Sequence, residues 1–113
     1  LHWMTISIGT SQAHMEIKLN NKRHHIEISF YIPDNKEIYE DLESYKDEIE
    51  SEAKHALIWR NPQKKKKAEI IFEIPGLDFD NTNNYNSLMQ QTLEHVVRLK
   101  DIYVKYMKLT GNV

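Results

Sequence analysis

Four consecutive lysines, Lys64 to Lys67, separate two short apolar runs, Ala56–Trp59 and Ile70–Ile74. Neighbouring ammonium groups repel one another, so such a run persists where water or an anion relieves the charge. Between two strand-forming runs it stands at a hairpin tip, where it can meet phosphates, and phosphate neutralisation dominates nucleic-acid affinity. Arg60 adds a planar fork of donors and Trp59 a flat surface on which a base can stack. The sequence-based nucleic-acid set is therefore Trp59, Arg60, Lys64, Lys65, Lys66 and Lys67. Lysine runs also serve as solvated tips that discourage edge aggregation, and they carry no geometry for reading bases.

Other constellations are weaker. Pro33-Asp34 with Glu52-Ala53-Lys54 spells the acid–acid–lysine order of Mg²⁺-dependent nucleases, whose groups converge on one metal site from adjacent strands. Here Asp34 falls at the start of a helical pattern and Glu52 near its end. A continuous helix rising 1.5 Å per residue sets them roughly 25 Å or more apart, too far to share a metal. Glu16-Ile17-Lys18 lies on a strand, but no acid precedes it. His14, Glu16, His25 and Glu27 fall on one face of two strand-like runs. Two imidazoles and a carboxylate can ligate zinc or nickel, although cross-strand charge pairing explains the same residues more simply. Ser11, Ser29 and Ser87 have no nucleophile context. Asp78-Phe79-Asp80 begins like a calcium loop, but Asn83 stands at its glycine position and Met89 at its bidentate glutamate. No catalytic residue, metal or cofactor is assigned.

The elements that hold these residues follow from hydrophobic periodicity. Met4, Ile6 and Ile8, then Met15, Ile17 and Leu19, then Ile26, Ile28, Phe30 and Ile32 alternate with polar residues, the period of half-buried strands. Asn20-Asn21 predicts a two-residue turn. It would pair Leu19 with Lys22, Glu16 with His25 and His14 with Glu27, whereas a shift by one would set Glu16 against Glu27, a disfavoured like-charge pair. Pro33 ends the third strand, and Asp34 with Glu37 predicts a capping box. Ile38, Leu42, Tyr45, Ile49 and Ala53 then predict one helix from about 34 to 54. Leu57–Arg60 and Glu69–Ile74 read as two further strands. After Pro75-Gly76 and a polar connector, a second helix begins near Tyr85 and stops at Gly111.

The 113 residues suit one domain, large enough to need no staple. With no cysteine there is no disulfide framework, thiol nucleophile or thiolate metal site, which fits a reducing cytoplasm. No run is long and apolar enough for a membrane span, and the first residues lack a signal-peptide pattern. The net charge of −2 conceals two patches: nine acids against three lysines lie between Asp34 and Lys54, and the rest is net basic.

Trp3–Ser11, Ile26–Ile32, Asp34-Asn35-Lys36, Lys46–Glu50, Leu57-Ile58-Trp59 and the Lys64–Lys67 run, in that order, resemble a bacterial and archaeal family, domain-of-unknown-function family 4268. The resemblance implies a C-terminal module standing behind PD-(D/E)XK nuclease-like domains, and no catalytic residues come with it. The family tends to carry glycine near Ala53-Lys54 and Ser-Arg near Ala68-Glu69, and this chain departs at both places.

The resulting expectation is α+β: a five-stranded, mainly antiparallel sheet in the order β-β-β-α-β-β-α, with two helices packed on one face. Residues 1–113 are read as a single domain cut from a longer cytoplasmic protein. The expected partners are nucleic acid, an upstream domain of the same polypeptide, or a second copy of the chain, with no membrane. The leading function is a non-catalytic accessory module of a nuclease-related or defence protein. The alternative is a protein-interaction or dimerisation module.

Overall fold

The computed structural model describes residues 1–78 and 80–113. Phe79, and with it the middle of the stretch compared with a calcium loop, lies outside the described residues. Among the described residues the elements are β1 (His2–Ser7), β2 (His14–Asn20), β3 (His25–Ile32), α1 (Lys36–Glu43), α2 (Lys46–Ala53), β4 (Ile58–Arg60), β5 (Ala68–Pro75) and α3 (Tyr85–Leu109), with a 3-10 turn at Thr82–Asn84. The strands form one sheet in the order β1-β2-β3-β5-β4, every pairing antiparallel. The α+β class therefore holds.

Period-2 alternation sorts the sheet into a dry and a polar face. Met15, Ile17, Leu19, Ile26, Ile28, Phe30, Ile32, Ile70, Phe72 and Ile74 are buried on the dry face. Helices cover it: the ring of Tyr103 from α3 lies 4.7 Å from that of Phe30, and Tyr39 of α1 meets Trp59 edge-on at 6.1 Å. Ile38, Leu42, Ile49, Leu99 and Met107 complete the layer. β1 is less covered than its alternation predicts, for Met4 stays 38 % exposed. It is an edge strand, and the helices sit over the strands in the middle of the sheet.

Three local expectations are corrected. The single helix from 34 to 54 is two, broken at Ser44–Tyr45. The Ser44 hydroxyl donates to the Asp41 carbonyl at 2.6 Å and the Tyr45 N–H turns back to Leu42 at 2.9 Å. Such local bonds compete with the helical ladder. The capping box does not form either, because the N-cap is Asn35 and no side chain caps α1. The turn between β2 and β3 spans Asn21–His24, so Asn20 pairs with His25, Lys18 with Glu27 and Glu16 with Ser29. His24 adopts the left-handed region at φ 54, and the Asn20 side chain accepts from the Arg23 N–H at 3.1 Å. Asn20 and His24 thereby supply the geometry of a longer turn.

That turn is tied to the neighbouring exit of β5, because His25 and Pro75 are ladder partners. The His24 carbonyl accepts from the N–H groups of Gly76 at 3.0 Å and Leu77 at 3.1 Å. At the other end of the helical pair, Lys54 caps α2 with φ 55, a conformation that favours glycine. This is where the resembled family tends to place one.

Candidate nucleic-acid interface and the polar face of the sheet

β4 and β5 are the arms of the lysine-bearing hairpin. In their register Arg60 faces Glu69 and Trp59 faces Ile70. Arg60 therefore stands on the polar face and Trp59 on the dry one. The Trp59 indole N–H donates to Glu50 at 3.2 Å, and the same carboxylate oxygen accepts from the Leu57 N–H at 2.7 Å. With Tyr39 against its ring, Trp59 fixes the base of the hairpin instead of standing among the lysines.

The loop itself is held by a residue that periodicity could not single out. The Lys36 ammonium, in the first turn of α1, donates to the carbonyl oxygens of Pro62 at 2.9 Å and Lys67 at 2.8 Å, and also to the Asn61 side chain. Lys65 closes a turn by donating its N–H to Pro62 at 3.2 Å. Lys64, Lys65 and Lys66 are exposed and Lys67 is half-buried. Arg60, Asn61, Pro62, Lys65, Lys67, Ala68 and Glu69 line a concavity of about 440 Å³ at the root of the loop. Its electrostatics are mixed, because Glu69 contributes a carboxylate where the resembled family tends to carry arginine. The available signal for Lys36 was its own oddity, a cation in a first turn where the helix dipole prefers acids.

The polar face carries two clusters. In the first, His14 and Glu16 lie 2.8 Å apart along β2, and Lys18 lies 3.5 Å from Glu16 and 3.7 Å from Glu69. Ser29, fully buried between them, donates to Glu69 at 2.9 Å. Burial pushes the Glu16 carboxyl upward, but the His14 hydrogen bond and the Lys18 charge outweigh it and hold the group below its ordinary range. In the second cluster His25 lies 2.8 Å from Glu27 and 3.2 Å from Glu73.

The charge pairs expected across strands are thus made within one strand, His14 with Glu16 and His25 with Glu27. The four residues grouped in the sequence are split between two clusters, which Glu69 and Glu73 of β5 complete. The nuclease-like order is dispersed as well. Glu52 lies 3.0 Å from Lys105 and also accepts from Tyr106, both on α3, while Lys54 ends α2. Among the described residues no helix is long and apolar enough to cross a membrane.

Fold and loop together define an α+β domain with an anchored basic hairpin. The family model described as Domain of unknown function (DUF4268) matches residues 1–107, and the chain belongs to that family. No curated protein and no solved structure matches it.

Proposed function

We propose that this chain is a non-catalytic accessory module of a nuclease-related or defence protein, in which Arg60 and Lys64–Lys67 hold the phosphate backbone of nucleic acid. The supporting observation is the anchoring of both loop ends by Lys36. It presents the ammonium groups on a shaped loop, which lowers the ordering cost of contact. Trp59 takes part by fixing the strand that carries Arg60. Lysines without base-edge geometry read charge, so the contact is independent of sequence. As the resemblance implies, the module acts beside a nuclease-like domain in a prokaryotic cytoplasm.

Fluorescence anisotropy with single- and double-stranded oligonucleotides over a salt series tests this reading. Affinity should fall steeply with salt, and alanine at Lys64–Lys67 should weaken binding equally for unrelated sequences and flatten the salt slope. Unchanged binding in that variant discards the proposal.

A protein-contact reading rests on a separate observation, the exposed Trp3 and Met4 on the free edge strand β1. A concentration-dependent mass by light scattering, insensitive to the lysine substitutions, would favour it.

A further inference from the structure

The second cluster on the polar face has the donors and spacing of a metal site. His25 and Glu27 are two apart on β3 and so share a face, and the β3–β5 register sets Glu73 directly opposite Glu27. Like charges directly opposite in a ladder are destabilising. Lys18 stands opposite Glu27 across the β2–β3 ladder and lends it some positive charge, but its ammonium makes its ion pairs with Glu16 and Glu69, at 3.5 and 3.7 Å. Instead both carboxylates turn to one atom, Nε2 of His25, at 2.8 and 3.2 Å. A single imidazole nitrogen has at most one proton to donate. His25 is only 7 % exposed, so water gives its ring little relief.

We propose that His25 Nε2, Glu27 Oε2 and Glu73 Oε2 bind one divalent transition-metal ion, with Zn²⁺ as the reference probe. The three donor atoms lie within 4.8 Å of one another. Bonds of roughly 2.0–2.2 Å to nitrogen and carboxylate oxygen place adjacent ligands about 2.8–3.5 Å apart, the range in which both His25–carboxylate distances fall. One imidazole with two carboxylates suits zinc, manganese, iron or nickel better than a thiophilic ion. Glu73 is the most open of the three, with a side chain 28 % exposed, so the ion would keep a water-facing position on that side. Such an ion would cross-link β3 to β5 and neutralise the Glu27–Glu73 pair. This inference is independent of the nucleic-acid reading.

Isothermal titration with ZnCl₂ and with MnCl₂, on the full chain and on E73Q and E16Q, tests it. Wild type and E16Q should bind one ion with similar affinity, and E73Q should bind at least tenfold more weakly. Zn²⁺ should raise the melting temperature of wild type but not of E73Q, which without metal should melt no lower than wild type because a repulsion has been removed. Histidine NMR of the unmutated protein supplies a readout independent of variant folding: the His25 ring should shift on Zn²⁺ addition before that of His14. Absence of saturable binding to millimolar Zn²⁺, equal binding by E73Q, or shifts led by another histidine would overturn the proposal.

Discussion

The side-chain ammonium of Lys36 lies 2.8 Å from the backbone carbonyl oxygen of Lys67, so one lysine fixes the chain that displays four others. Lys36→Met keeps the aliphatic stem and removes the donors. Loss of charged hydrogen bonds at a half-buried site should cost about 1–3 kcal/mol in urea denaturation. Hydrogen exchange at the Lys65 amide should accelerate. Exchange at the wild-type rate would mean that the loop holds its shape without Lys36.

Glu50 accepts from both the Leu57 amide and the Trp59 indole. Glu50→Ala leaves two donors without an acceptor, and each part-buried orphan should cost about 1–3 kcal/mol. The same geometry predicts that oligonucleotide binding leaves Trp59 fluorescence nearly unchanged. Strong quenching on binding would place the indole at the nucleic acid and contradict its packing.

Lys54 ends α2 with a positive φ of 55. A side chain there is strained, and glycine is not. Lys54→Gly should therefore stabilise the domain, by up to about 1 kcal/mol, against the usual trend for a glycine substitution. A lower melting temperature in this variant would show that the lysine side chain compensates its strain.

Tyr39 is pushed up to about 12 from 10.0 by burial and by the adjacent charge and hydrogen bond of Glu43. A raised folded-state pKa means a stabilising contribution that is complete below about pH 10 and lost as pH rises through about 12. Tyr106 is raised to about 12 chiefly by its hydrogen bond to Glu52. Glu52 is lowered in turn, by that bond and by Lys105, so its contribution is present above 4.5 and fades as pH falls through the depressed value. The α2–α3 tie should hold between those limits. Denaturation midpoints of Y39F and Y106F should approach that of wild type at pH 12, and a constant difference from pH 8 to 12 would refute the assignment.

Tyr103 is fully buried, and its hydroxyl has no hydrogen-bond partner among the described residues. Tyr103→Phe removes an unsatisfied group and retains the ring on Phe30. The variant should be as stable as wild type or more so, by up to about 1–3 kcal/mol. A marked loss of stability would reveal a partner for the hydroxyl.

The strands were legible because alternation names the face of every residue, and this explains the match at Ile26–Ile32 and at β5. Register was not legible from alternation. The predicted Glu16–His25 pairing and the observed Glu16–Ser29 pairing put apolar residues on the same face, so the hydrophobic pattern cannot separate them. The charge rule failed for the same reason, since Lys18 opposite Glu27 satisfies it as well as the expected pairs did. The basic loop was legible from composition, but its anchor and the Glu73 ligand were not. Both depend on which distant segments become neighbours, α1 with the lysine loop and β3 with β5, and no local pattern states that Glu27 will face Glu73.

The strand order β1-β2-β3-β5-β4 also sets an order of events. β1, β2 and β3 meet through short excursions and can zip as they emerge. β5 reaches β3 only after the whole stretch from Pro33 to Lys67 has been looped back. Closing that longer loop costs more entropy before any contact rewards it. The His25–Glu27–Glu73 triad is therefore completed late, when β5 docks on β3, whereas the lysine hairpin closes through the short β4–β5 loop and can form locally. A chain stalled before that step would carry a finished meander and a basic hairpin but no triad.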